Sequence, residues 1–96
     1  ETFYVWDWIG GRYSTTSMVG GVVLSFAFGF DVFWEFLRGA NEMDKACFQR
    51  ELNKNLPLLA ALIEVWNHNF LNYPTTAIIP YSQPLCRFPA HLQQLS

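Results

Sequence analysis

Between Met18 and Phe30 the chain carries no charged side chain, and that stretch limits its possible folds more than any other. Arg12 lies ahead of it and Asp31 closes it. A membrane-spanning helix needs about 20 apolar residues, so the run is too short to cross a bilayer. Gly20 and Gly21, near its start, suit close helix packing in a folded core. The run predicts a buried helix over 16–28, with Ser14, Thr15 and Thr16 as N-cap candidates and Gly29 as its stop.

Such a helix needs cover, and the rest of the chain is itself short of polar residues. Of its 96 residues 51% are hydrophobic and 18% aromatic, while 15% are charged. An average globular chain carries about 25% charged residues. A folded chain this short buries only about 60–65% of its unfolded surface. Part of the apolar surface is therefore expected to lie against something else: the rest of a larger chain, a partner or a membrane. The ends carry the same expectation. No Met precedes Glu1, and Gln93-Gln94-Leu95-Ser96 lacks a Gly, Pro or charged tail, so both ends read as cuts in a longer chain.

The remaining pattern is mainly helical. Residues 2–8 are rich in Phe, Tyr, Val and Trp and read as a short buried strand ended by Gly10-Gly11. Asp31 is a candidate cap for a helix over 31–51, with Gly39 as its weak point. Asn55 caps a third helix over 55–71, with Pro57 in its first turn, and Asn72-Tyr73-Pro74 ends it. Residues 76–80 read as a second short strand. Ser82 is expected to cap a last helix over 83–94, interrupted by Pro89. Two short strands so far apart cannot make a useful sheet alone, which points to an excised part of an α/β protein.

Several functions are disfavoured early. The formal net charge is −2 and no basic block occurs, which argues against nucleic acid as a main partner. Cys47 and Cys86 lie far apart with no Cys or His at ligand spacing, so two reduced thiols are expected, a single disulfide being the alternative. No signal peptide is visible.

The strongest chemical pattern is Asp7-Trp8-Ile9-Gly10-Gly11-Arg12-Tyr13-Ser14. A strand is expected to end, two glycines turn the chain, an Arg follows and a helix begins. Gly-Gly lets a ligand approach the backbone closely. A helix start offers unpaired N–H groups and a positive dipole end. Arg12 there could hold an anion or a developing oxyanion. It could equally pair with Asp7 or cap backbone carbonyls, and the spacing does not decide between them.

That octet, followed by Ser17 and Gly20, resembles the signature of the glucose-6-phosphate isomerase (phosphoglucose isomerase) family. Further matches follow in order: Gly29-Phe30-Asp31, Leu37-Arg38-Gly39-Ala40, Met43-Asp44, Asn55-Leu56-Pro57, Trp66-Asn67, Ile79-Pro80-Tyr81, Arg87-Phe88 and Leu92-Gln93-Gln94. The departures are Thr15-Thr16, in place of a commoner aliphatic or aromatic pair, and Pro89, where Ala is common.

The resemblance implies an α/β parent with doubly wound sheets. Residues 1–96 would be a single fragment spanning the end of one domain and the start of the next, with no complete domain. It implies a cytoplasmic, homodimeric enzyme of glycolysis and gluconeogenesis that interconverts glucose 6-phosphate and fructose 6-phosphate through a cis-enediol(ate). No metal, nucleotide or other cofactor is implied, and no nucleic acid or membrane partner.

By the same resemblance Arg12 would be catalytic, stabilising negative charge on the enediolate oxygens. Gly11 would be the close-approach glycine beside the sugar, and Gln94 would line the sugar site. The family's base is a Glu a few residues beyond that Gln, in a run like Met-Glu-Ser-Asn-Gly-Lys. It falls past Ser96, so the 96 residues alone are expected to be inactive. The phosphate loop is expected before Glu1, and the ring-opening His after Ser96. His68 and His91 match no catalytic position, and Glu64 reads as a polar-face or paired carboxylate. The alternatives are a non-catalytic sugar-phosphate-binding module and a small helical interaction or membrane-associated protein.

Overall fold

A computed structural model describes residues 1–95. They form four α-helices: α1 (Met18–Phe28), α2 (Phe30–Cys47), α3 (Leu56–Asn69) and α4 (Phe88–Leu95). Three 3-10 helices accompany them, Gly11–Thr16, Leu52–Lys54 and Gln83–Leu85. The chain divides into two compact units. One comprises Glu1–Glu35 together with the stretch from Ile78 onward, and the other is Phe36–Ala77.

In the first unit the 3-10 helix Gly11–Thr16 is the hub, with α1 and α4 both packed on it. Ser17, rather than Ser14, Thr15 or Thr16, caps α1, its hydroxyl accepting the Val19 N–H at 3.2 Å. That moves the helix start from 16 to 18 and leaves the expected cap residues in the 3-10 helix. Gly20 fits because a β-carbon there would collide with the Thr15 carbonyl. At Gly21 a β-carbon would come within 3.1 Å of the Phe33 ring, and Phe33 is the buried apolar side chain of the unit.

The corner between α1 and α2 is a single residue. Gly29 closes α1 by donating its N–H to the Ser25 carbonyl at 2.9 Å. Its own carbonyl then accepts the Phe33 N–H at 3.4 Å, opening α2. Its φ of +94° with ψ of 152° belongs to a region that only glycine visits easily. Asp31 is therefore not the cap of α2. It sits in the first turn, where a carboxylate still faces the positive end of the helix dipole.

The second unit carries the rest of α2, the turn Leu52–Lys54 and α3. Gly39 does not interrupt α2, which runs through it to Cys47. The helix ends at Cys47, short of 51, and the buried Asn55 meets the chain there, at the last helical residue and just beyond it. The Asn55 amide donates to the Cys47 carbonyl at 2.9 Å and to the Gln49 carbonyl at 3.0 Å. Its side-chain oxygen accepts the Leu58 N–H at 3.0 Å, so the expected cap of α3 is realised, with Pro57 in the first turn. Beyond Phe70 the chain leaves the helix through Asn72, which adopts a left-handed conformation with φ of +57°.

Neither expected strand forms, and the described residues contain no strand at all. Residues 2–8 are irregular, with a turn at Asp7-Trp8, and residues 76–80 have no regular structure. A strand needs a neighbour to accept and donate its ladder hydrogen bonds, and no second strand lies within these 95 residues to supply one. The aromatic run stays exposed, Tyr4 by 80%, with Trp6 and Trp8 stacked on each other at a ring-centre distance of 4.9 Å. The last helix also differs from the expected 83–94. Gln83–Leu85 is a separate 3-10 turn, Ser82 makes no side-chain cap there, and Pro89 starts α4 rather than interrupting it. In the first turn the missing proline N–H has no intrahelical partner to lose.

Candidate active site

Gly10 and Gly11 lead into the six-residue 3-10 helix that carries Arg12. Runs of this helix type longer than about 3–4 residues are uncommon, because its hydrogen bonds are less well aligned than those of an α-helix. Here side chains add to the ladder. The Ser14 hydroxyl donates to the Gly11 carbonyl at 2.7 Å, and the Ser17 hydroxyl donates to the Ser14 carbonyl at 2.6 Å. The Ser17 N–H reaches the same Ser14 carbonyl at 3.0 Å. Ser14 is buried, and Ser17 partly so.

Arg12 is exposed, and its Nη1 donates to the main-chain carbonyl of Gln94 at 2.7 Å. The two residues are 82 positions apart. Gln94 lies in the last turn of α4, where helix carbonyls lack intrahelical partners and the dipole is negative. A cation is the natural complement to that end. Of the two structural partners open to Arg12 in the sequence, a backbone carbonyl is the one it takes. The guanidinium has five N–H donors in a fixed fork, so one carbonyl leaves capacity for an anion.

Gly11 stands beside Arg12, and a β-carbon built there meets nothing within 4 Å. Its φ lies outside the left-handed range. Within the described residues, then, neither backbone conformation nor crowding demands glycine at this position. The structure brings Gly11, Arg12 and the Gln94 main chain together in one unit.

The other polar residues weighed in the sequence stay apart from this cluster as chemistry. His68 and Glu64 lie exposed on α3, in the other unit, and His91 is part-exposed on α4. Cys47 and Cys86 are free thiols. No group of His, Cys, Asp or Glu among the described residues could hold a metal ion, and none of their helices is long and apolar enough to cross a membrane. Sequence reasoning missed the part played by Ser14 and Ser17. Their spacing of three, in step with Gly11, was the available signal.

The whole chain, residues 1–96, matches the family model described as phosphoglucose isomerase. It is 67% identical over 95 residues to the glucose-6-phosphate isomerase of Protochlamydia amoebophila, covering 99% of this chain and 18% of that protein. It is 62% identical over 94 residues to the glucose-6-phosphate isomerase of Chlamydia abortus, again covering 18% of it. The crystal structure of a glucose-6-phosphate isomerase from Chlamydia trachomatis matches 96% of the chain with a TM-score of 0.89 at 60% identity. The chain thus spans less than a fifth of the length of these relatives. With the match running from the first residue to the last, and the backbone reproduced as closely as the sequence, the chain belongs to the phosphoglucose isomerase family.

Proposed function

We propose that this chain is the Gly-Gly-Arg-bearing segment of an aldose–ketose isomerase with an α/β fold that interconverts glucose 6-phosphate and fructose 6-phosphate. The observation that carries the reading is the meeting of Arg12 with the Gln94 main chain beside an uncrowded Gly11. Membership of the phosphoglucose isomerase family supports this reading of the reaction. A base removes the proton next to the carbonyl and returns it to the neighbouring carbon through a cis-enediol(ate).

Arg12 serves this reaction by charge. As the proton leaves, negative charge grows on the substrate oxygens, and a guanidinium already held in place stabilises it without having to reorganise. The Gln94 carbonyl fixes one arm of the fork, and the remaining N–H groups face the oxygens. Gly11 lets the sugar approach the main chain where a methyl group would intervene. Gln94 offers its side chain to the sugar while its carbonyl holds Arg12. The base, phosphate loop and ring-opening group lie outside these 96 residues, which alone have no isomerase activity.

The test is a turnover assay on the full-length protein that carries this chain, with fructose 6-phosphate as substrate. Arg12→Ala is expected to lower kcat by about 10²–10³-fold, the usual loss when one preorganised oxyanion donor is removed. Turnover equal to the parent's would remove Arg12 from the chemistry. Tight sugar-phosphate binding with no turnover in the parent itself would favour a non-catalytic binding module.

A further inference from the structure

We infer that Ser14 is a positioning residue for Arg12, acting through the 3-10 conformation of Gly11–Thr16. The inference rests on the charge-stabilising role proposed for Arg12 and extends it to a side chain that would not touch substrate.

Four observations carry it. Ser14 is one of the two buried polar side chains among the described residues, 8% exposed, although its neighbours Arg12, Tyr13, Thr15 and Thr16 are all exposed. Its hydroxyl donates to the carbonyl of Gly11, the residue immediately before Arg12. The Ser17 hydroxyl repeats the same three-residue reach onto the Ser14 carbonyl. The Thr15 carbonyl is seated over Gly20, where a β-carbon would displace it.

A 3-10 helix joins each N–H to the carbonyl three residues back, whereas an α-helix joins it to the carbonyl four back. A hydroxyl that donates three residues back adds a second bond across the same three-residue span that defines the tighter register. Ser14 and Ser17 do so in succession, and residues 11, 14 and 17 share one face of the turn. Arg12 lies about a third of a turn away, on the exposed side. If the segment relaxed toward the α register, the Arg12 side chain would rotate away from the Gln94 carbonyl. The two hydroxyls thus hold the register, the register aims Arg12, and the end of α4 receives it.

The experiment is a double-mutant cycle in the full-length protein, read as kcat and KM for fructose 6-phosphate. Ser14→Ala should lower kcat about five- to tenfold with KM changed less than twofold, because the lost alignment matters where charge develops. Ser14→Thr, which keeps the hydroxyl, should stay within about twofold of the parent. In an Arg12→Ala background, Ser14→Ala should cost nothing further beyond about twofold, since there is no guanidinium left to aim.

If Ser14→Ala leaves kcat unchanged, or multiplies the Arg12→Ala loss in full, the inference is overturned while the role of Arg12 stands. If Arg12→Ala keeps parental turnover, the role of Arg12 falls first and the inference with it. Should Ser14→Ala fail to fold, Ser14→Cys, whose thiol is only a weak donor to the Gly11 carbonyl, goes through the same cycle with the same outcomes deciding.

Discussion

Asn55 joins two elements with one side chain. Its oxygen caps α3, and its amide holds the last carbonyl of α2, at Cys47, and that of Gln49, two residues on. Replacing it with Ala removes a cap, worth about 0.5–2 kcal/mol, and leaves those carbonyls without their donor. Asn55→Ala is expected to destabilise the full-length protein by about 2 kcal/mol, and Asn55→Asp, which keeps the cap oxygen but sets a buried carboxylate against the two carbonyls, by at least as much. An unfolding midpoint in urea for Asn55→Asp equal to the parent's would contradict the amide's share. Gly29 is constrained differently. A β-carbon there has open space around it, but φ of +94° strains any side chain, so Gly29→Ala should cost about 1–3 kcal/mol.

At the scale of elements, α2 holds a glycine in its interior with nothing crowding it. Gly39→Ala should stabilise the protein by about 0.5–1 kcal/mol through helix propensity and a less flexible unfolded chain, read as a raised melting temperature. One turn on, Lys45 donates to Glu42 at 2.6 Å. That hydrogen bond first, and the Lys45 charge second, hold the Glu42 carboxyl below the usual carboxylate range. The folded value lies below the unfolded one, so the pair's contribution is present at neutral pH and lost as the pH falls through the folded value. Lys45→Ala should shift the Glu42 titration upward by carbon-13 NMR, and an unmoved titration would exclude Lys45 as the cause. The pair is exposed, so salt should weaken it.

The sequence announces elements better than their joints. Asn55-Leu56-Pro57 reads as a helix start because cap and proline are local devices, and Gly29 reads as a stop for the same reason. The end of α2 was not legible, since the Asn55 amide meets it from across a loop. Pro89 looked like an interruption until the helix around it proved to begin one residue earlier, at Phe88. The strands at 2–8 and 76–80 have strand composition without strand partners, and pairing cannot be read from one edge alone. At the candidate site Gly11, Arg12 and Gln94 stood out through family resemblance. The grip of the Gln94 carbonyl on Arg12 required the fold.

The whole molecule exposes 8639 Å², while a folded monomer of 11.1 kDa exposes roughly 5,700 Å². Less than half of the unfolded surface is removed from water, short of the 60–65% expected of a self-contained domain of this length. Phe33 is the buried large hydrophobic among the described residues, while Phe26, Phe48 and Tyr81 are almost wholly exposed. The isolated 96 residues are accordingly expected to self-associate and to bind a hydrophobic dye such as ANS. Size-exclusion chromatography showing a single monomer peak without dye binding would contradict this.

The contact between Arg12 and Gln94 also has a timetable. Ribosomes add about 5–20 residues per second, so Arg12 is made roughly 4–16 seconds before the carbonyl that holds it. The segment Phe36–Ala77, a compact unit of the folded chain, is synthesised in the interval. The nascent chain therefore carries the arginine without its anchor for that interval, and a stall before α4 would prolong it.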